Sequence, residues 1–380
     1  MKIELPAQVL KDAINISAKS AGFNPMIPRT NLVDIHSKDN FIYFITTDGN
    51  NTLHHKVEIH GIMEFRVVTD LDPLRKLVRK FKSGSITLEV EGKNLIVRHG
   101  KSQYKFGLPV DGAGELLHVD WDQVGHMVES QTVPYSELDT IVRFGKPVID
   151  KSFLDYLNGY YFGTNAYVYM TDSVIMSTLM LENPWAEGAF MLHSSTMEIM
   201  ADIFSGEESL EVSVDDDGYF CVTTDSKGMV ASTLDTGDYP QAALDSMLEM
   251  DAYTSFHVDA NKFKDTVSRQ EVVATINSQY YGQLTVEDAH PEDEDLPFDL
   301  ETRSIALSLD KSNADSLEVE HLNQTEDYKP FEYDTSLMDK VVSPFGAGNL
   351  YIEITDNFMV FRQKGDGSNN ITVISRRSST

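Results

Sequence analysis

The residues with the clearest chemical potential are Arg75, Lys76, Arg79, Lys80 and Lys82, crowded into Leu74 to Lys82 with no carboxylate among them. Their chemistry is ionic: a row of guanidinium and ammonium groups neutralises phosphates and transfers no proton or bond. At about 100° per residue, Leu74, Leu77, Val78 and Phe81 fall within an arc of about 100°. A helix over Leu74 to Phe81 therefore puts the five cations on the side opposite its apolar stripe. The chain holds 31 Lys+Arg against 60 Asp+Glu, a net charge of −29. Phosphate binding survives such a balance only if positive charge is concentrated, so this face reads as phosphate-facing; the alternative is a solvated basic surface. Lys11, Lys19, Arg29, Arg143, Lys146, Lys262, Lys264, Arg269 and Lys340 are scattered over other segments. Of these, Lys11, Arg29, Arg143, Lys262 and Lys264 join the candidate phosphate-facing set. Another helix carries Glu198 and Asp202 and no base, so the surface is uneven. No aromatic residues interleave with the bases, which leaves contacts that are electrostatic and blind to base sequence.

Catalytic constellations do not emerge. HExxH, GxGxxG, the Walker loop and GxSxG are missing, no cofactor or metal is expected, and the chain reads as non-enzymatic. A β-rich hydrolase with paired carboxylates is the rival class, but 60 acidic residues always supply some plausible pair. His54-His55 reads as a surface strand, and Asp215-Asp216-Asp217-Gly218 as a hairpin turn rather than a calcium loop, since position 213 is Ser and position 224 is Thr. Residues 287 to 301 hold eight carboxylates and no Lys or Arg, as a solvated insertion does. Cys221 is the only cysteine, which excludes an internal disulfide and a thiolate zinc site and suits a reducing cytoplasm. Met1 to Pro6 lacks an apolar signal core, and no apolar run reaches the roughly 18 residues of a membrane span.

The elements that carry these residues recur. Helix, glycine turn and alternating hairpin appear at Leu74–Phe81 with Ser83-Gly84 and Ile86–Val97, at Met197–Phe204 with Ser205-Gly206 and Leu210–Val222, and at Leu337–Val342 with Phe345-Gly346 and Leu350–Val360. Interleaved strand–helix units start at Ile3, Val133 and Phe256, with helices from Pro6 to about Ser17, Ser136 to Phe144, and Asp259 to about Ser268. Phe41 to Thr47-Asp48 is echoed by Ala166 to Thr171-Asp172. The pattern predicts an α+β chain of three domains, 1–125, 126–250 and 251–380, the last with the acidic insertion. Six helices in all would cover one face of antiparallel sheets.

Tyr156-Leu157-Asn158-Gly159, Thr171-Asp172 and Gly237-Asp238-Tyr239-Pro240 stand in the order and spacing of the beta subunit of bacterial DNA polymerase III, the sliding clamp. The chain resembles that family over nearly its whole length, and Leu88–Gly92 to Arg98–Ser102 is similar to its first-domain hairpin. The resemblance implies three tandem clamp domains and a head-to-tail homodimeric ring that encircles double-stranded DNA without sequence preference. Helices would line the hole. The ring would tether a DNA polymerase as a processivity factor and need a separate clamp-loader ATPase. It further implies a partner-peptide pocket walled by Leu157, Thr171, Ser173, Val174, Ile175, Met176, Pro240, Leu244, Val373 and Ile374. Without the resemblance, Val174 to Met176 read as strand-end core. Tyr104 and Phe106 match the ring-closing edge strand and read equally as inward strand residues; Val272 and Val273 are also assigned to the dimer interface. Two departures mark a divergent member, phage- or plasmid-encoded, with its own matched polymerase. Ser173-Val174-Ile175-Met176 replaces Gly-His-Arg-Leu, and the tail from Val373 to Arg377 lacks the usual Pro-Met-Arg-Leu ending. A clamp-fold adaptor for transcription or for host proteins is the other reading.

Overall fold

The computed structural model describes residues 1–22, 27–59, 64–117, 130–149, 157–237, 239–287, 303–310, 312–325, 329–364 and 369–376. Tyr156, Asp238, Arg377 and positions 288–301 of the acidic insertion lie outside them.

Eight strands and two helices recur three times. The first set is β1 (Lys2–Pro6), α1 (Ala7–Ser17), β2 (Leu32–Lys38), β3 (Phe41–Thr47), β4 (Asn51–Glu58), β5 (Arg66–Asp70), α2 (Leu71–Val78), β6 (Ser85–Glu91), β7 (Asn94–His99) and β8 (Ser102–Gly107). The second is β9 (Gln131–Pro134), α3 (Tyr135–Gly145), β10 (Gly159–Phe162), β11 (Tyr167–Thr171), β12 (Ile175–Met180), β13 (Phe190–His193), α4 (Ser194–Ile203), β14 (Ser209–Val214), β15 (Tyr219–Thr223) and β16 (Lys227–Ser232). One further helix, α5 (Gln241–Leu248), precedes the third: β17 (Thr254–Asp259), α6 (Ala260–Asn277), β18 (Tyr281–Glu287), β19 (Arg303–Asp310), β20 (Asn313–Gln324), β21 (Phe331–Asp334), α7 (Thr335–Val342), β22 (Asn349–Ile354), β23 (Phe358–Lys364) and β24 (Asn369–Ser375).

The repetition extends to single hydrogen bonds. After β3, Asp48 Oδ1 accepts from the amides of Asn50 (2.8 Å) and Asn51 (2.7 Å). After β11, Asp172 Oδ1 accepts from Val174 and Ile175, both at 2.8 Å. After β19, Asp310 Oδ1 accepts from Ser312 (2.7 Å) and Asn313 (3.0 Å). A short carboxylate that caps its own turn is the reason Asp recurs there. The position after Asp is left-handed in the first two turns, with Gly49 at φ 103° and Ser173 at φ 77°. The turn after the second helix of each set likewise holds a left-handed glycine: Gly84, Gly206 and Gly348. In the third set that glycine is two residues beyond the expected Gly346.

The chain divides into two compact units, 1–139 with 195–233 and 140–194 with 234–380, so the division passes through the second set. The three-domain boundaries remain our reading of the repeat. In the first unit lie a four-stranded sheet, β1-β6-β7-β8, and an eight-stranded sheet, β5-β2-β3-β4-β16-β15-β14-β9. The second holds a twelve-stranded sheet, β13-β10-β11-β12-β24-β23-β22-β17-β20-β19-β18-β21. All strand pairs are antiparallel. Leu10, Ala13 and Ile14 of α1 and Leu71, Leu74 and Val78 of α2 share one core with Leu5, Ile86, Leu88, Leu95 and Val97 of the first sheet and with Val33, Ile35 and Phe44 of the second. Each Val, Leu, Ile and Phe among them contributes about 1.5–3 kcal/mol by leaving water.

Two helices differ from their expected limits for physical reasons. The second helix starts at Leu71 and ends at Val78, because Leu71 is buried with Leu74 and Val78. Arg79 is therefore its C-cap residue, and Lys80 and Lys82 follow the helix rather than sitting on its face. The sixth helix runs on to Asn277, not to about Ser268. Its inward face continues through polar residues, Thr266 and Gln270, and the Tyr333 hydroxyl donates to Gln270 Oε1 at 2.7 Å. The expectation for His54-His55 also needs correction. β4 is an interior strand pairing with β16, so His55 is buried, its ring bonding to the Ser226 carbonyl at 3.2 Å. Burial holds its pKa below the usual imidazole value.

Candidate nucleic-acid interface and partner pocket

The basic cluster is built at the end of α2 and over α1. Leu74 and Val78 face the core, which turns Arg75 and Lys76 outward; Arg79, Lys80 and Lys82 are exposed just beyond. Arg75 and Arg79 both donate Nε–H to one acceptor, Asn15 Oδ1 on α1, at 3.4 and 3.0 Å. Burial, and then the neighbouring Arg79 charge, lowers the pKa of Arg75. Lys76 is paired with Asp72 one turn back at 2.5 Å. Among the described residues no ion pair engages Lys80 or Lys82. Lys11 is half-buried on α1, and Arg29 is exposed in a short 3₁₀ turn, Pro28–Asn31. Lys19 bridges to Asp202 at 2.9 Å.

In the second unit, Lys262 is exposed on α6, whereas Lys264 donates to the Phe345 carbonyl at 2.7 Å. Arg143 donates to the Pro344 carbonyl at 3.1 Å. Both cations thus satisfy carbonyls of the turn that follows α7, outside the helix itself. The charge census is uneven too. Residues 1–125 hold 16 Lys+Arg against 15 Asp+Glu, a net +1, and residues 126–380 hold 15 against 45, a net −30.

The pocket, a cleft of about 210 Å³, lies wholly within the second unit. Strands β12 and β24 pair there, with Met176 opposite Val373 and Ile175 opposite Ile374. The turn between β11 and β12 supplies Thr171, Ser173 and Val174, and Leu157 enters just ahead of β10. Pro240 caps α5, which lays Ala243, Leu244 and Met247 along the opposite wall. Phe358 and Ser375 complete the lining, and neither was read from the sequence. Ile374 does not line the cleft: it is buried, while its neighbours Val373 and Ser375, on the other face of β24, do. Ser375 donates both its amide (3.2 Å) and its hydroxyl (2.8 Å) to the Val174 carbonyl, which ties the tail to the lip.

Leu244, Met247 and Leu248 pack α5 onto an apolar cluster of the sheet, and polar bonds add to this. The Tyr169 hydroxyl donates to Asp245 Oδ1 at 2.5 Å and accepts from Asn165 Nδ2 at 2.7 Å; Tyr161 donates to Gln241 Oε1 at 3.0 Å. Burial and the Asp245 bond raise the Tyr169 pKa, so it stays a donor. Tyr161 stacks on Tyr239 at 4.3 Å and 1°. The cleft is lined by aliphatic, thioether, hydroxyl and one aromatic side chain, with no ionisable group. Such a surface is chemically suited to apolar groups.

Several strand edges are unpaired among the described residues, and two of them, on β8 and β20, carry the candidate interface residues or lie beside them. Tyr104 on β8 is 39% exposed and Phe106 half-buried, and among the described residues β8 pairs only with β7. In β20, positions 313–319 pair only with β19. Nearby on α6, Val272 is exposed, Val273 half-buried and Ile276 exposed. Among the described residues no group of three His, Cys, Asp or Glu could hold a metal, and no helix is long and apolar enough to cross a membrane.

This architecture defines a class: the chain has the DNA sliding-clamp fold. It is similar over its full length to the beta subunit of the DNA polymerase of Streptococcus pyogenes, covering all of that chain at TM-score 0.81 and 12% identity. The sliding clamp of Bacillus subtilis matches with full coverage of both chains at TM-score 0.79 and 14% identity, and the DNA polymerase III beta subunit of Thermotoga maritima likewise at 0.75 and 16%. No family model matches the sequence. No curated protein matches it either.

Proposed function

We propose that the chain is a DNA sliding clamp, a non-enzymatic processivity factor that closes around duplex DNA as a head-to-tail homodimer and tethers a DNA polymerase. The observation that carries this reading is the rule by which successive repeats join. The fourth strand of the first set, β4, pairs with the last strand of the second, β16; β12 pairs in the same way with β24. Repetition of the rule leaves β20 to pair with β8, and among the described residues each has an edge free to do so. Between two chains this junction closes a ring of six repeats. Its two sides complement each other: β8 carries Lys105 beside Lys101, and β20 carries Asp315, Glu318 and Glu320. Tyr104 and Phe106 would cover Val272, Val273 and Ile276, which removes apolar surface from water.

In this reading Arg75, Arg79, Lys80 and Lys82, with Lys11, Arg29, Lys76 and Lys262, face the phosphates; Arg143 and Lys264 assist from their backbone-bonded positions. The pocket beside α5 receives an apolar segment of the polymerase and of a clamp-loader ATPase. A cytoplasmic place on the chromosome, or in the host cytoplasm for a phage-encoded clamp, follows. The test is native mass by light scattering, then retention on DNA circles. A mass twice the 42.7 kDa chain, and retention that linearising the circle abolishes, support the reading. A stable trimer, or equal retention on linear DNA, would defeat it.

A further inference from the structure

Asn15 stands apart from the other polar residues of α1. It bears no charge, yet its side-chain oxygen receives Nε–H from two arginines one turn apart, Arg75 at 3.4 Å and Arg79 at 3.0 Å. Each guanidinium spends only its Nε–H on Asn15; its two terminal NH₂ groups lie on the far side of the same planar fork. Like charges held side by side against a neutral acceptor repel each other until an anion arrives. Neither arginine makes an ion pair among the described residues, whereas Lys76 is held by Asp72 and Lys19 by Asp202.

We propose that Asn15 is a positioning residue that pre-orients Arg75 and Arg79 as a joint fork for a single phosphodiester group. The inference rests on the DNA-binding reading of this face. An arginine side chain carries about 2 kcal/mol of rotamer entropy, and ordering two of them before DNA arrives removes part of that cost from binding. Lysine cannot substitute, because it has no inner N–H to anchor while its head group points elsewhere.

The full-length protein is titrated against a short fluorescein-labelled duplex by anisotropy over a series of salt concentrations. Asn15→Ala is expected to weaken binding about threefold to tenfold with the thermal transition and the salt slope unchanged, since every charge remains. Arg75→Lys/Arg79→Lys should weaken it similarly, and Asn15→Ala added to that pair should change nothing more. Equal loss from Asn15→Ala in both backgrounds means a structural role and overturns the proposal. Unaltered binding by Asn15→Ala, while Arg75→Gln/Arg79→Gln lowers the salt slope by about one unit, overturns the fork but leaves DNA binding standing. Binding untouched by Arg75→Gln/Arg79→Gln removes this face from DNA binding, and the proposal with it.

Discussion

The basic cluster at the end of α2 and the pocket beside α5 are both small and both partly open to solvent, but they rest on opposite physics. The first gathers exposed cations whose interactions reach about 8–10 Å through salt water and weaken as salt is added. The second has no ionisable lining residue, so it recognises by removing apolar area from water and by shape. One suits a partner that must slide, because contacts to phosphates are electrostatic and independent of base sequence. The other suits a partner that must stay, because a pocket fits one set of side chains. A tether that moves along one ligand while holding another needs both kinds of contact at once.

That contrast is open to direct attack. Reversing Arg75, Arg79 and Lys80 to Glu should reduce duplex affinity by a factor on the order of a hundred or more at low salt and flatten its salt slope by about two to three units. Binding of a partner segment in the pocket, read by calorimetry, should stay within about twofold; a large loss there would mean the two regions are coupled. Val174→Asp places a charge at the pocket lip, where the side chain is 44% exposed and the fold tolerates it. Pocket binding should drop about tenfold to a hundredfold while the DNA isotherm is unchanged, because an apolar ligand would bury that carboxylate. The smallest effect belongs to Ser173→Gly. Ser173 holds φ 77° in a turn where the first repeat has Gly49, so relief of backbone strain should stabilise the protein by up to about 1 kcal/mol in thermal unfolding. A destabilised Ser173→Gly would instead show that the serine side chain has a use at the lip.

Much of the fold was legible because the repeat is written in residues with local meanings. The Thr-Asp turns and the glycines after each helix specify backbone bonds that need only their neighbours. The fifth helix was missed, although Ala243, Leu244 and Met247 sit at helical spacing, because it falls between repeats and Pro240 read as the end of a motif. Ile374 was placed in the pocket wall because alternation along β24 tells which residues share a face, but only pairing with β12 tells which face is inside. Arg143 and Lys264 join the phosphate-facing set in the sequence for a related reason. The carbonyls that bind them, at Pro344 and Phe345, are far away in sequence. Asn15 gave no signal at all: one asparagine on a polar helix face means nothing until two arginines from another helix converge on it.

Covalent linkage of the three repeats has an evolutionary consequence. In an assembly of identical subunits, any substitution appears at every symmetric position, so one surface cannot gain arginines without all of them doing so. Within one chain each repeat mutates independently, and Gly49 and Ser173, or the +1 and −30 portions of the charge, show how far these have diverged. Fusion thus converts a geometric copy into a separately heritable part, free to specialise while the shared backbone bonds keep it fitting its neighbours.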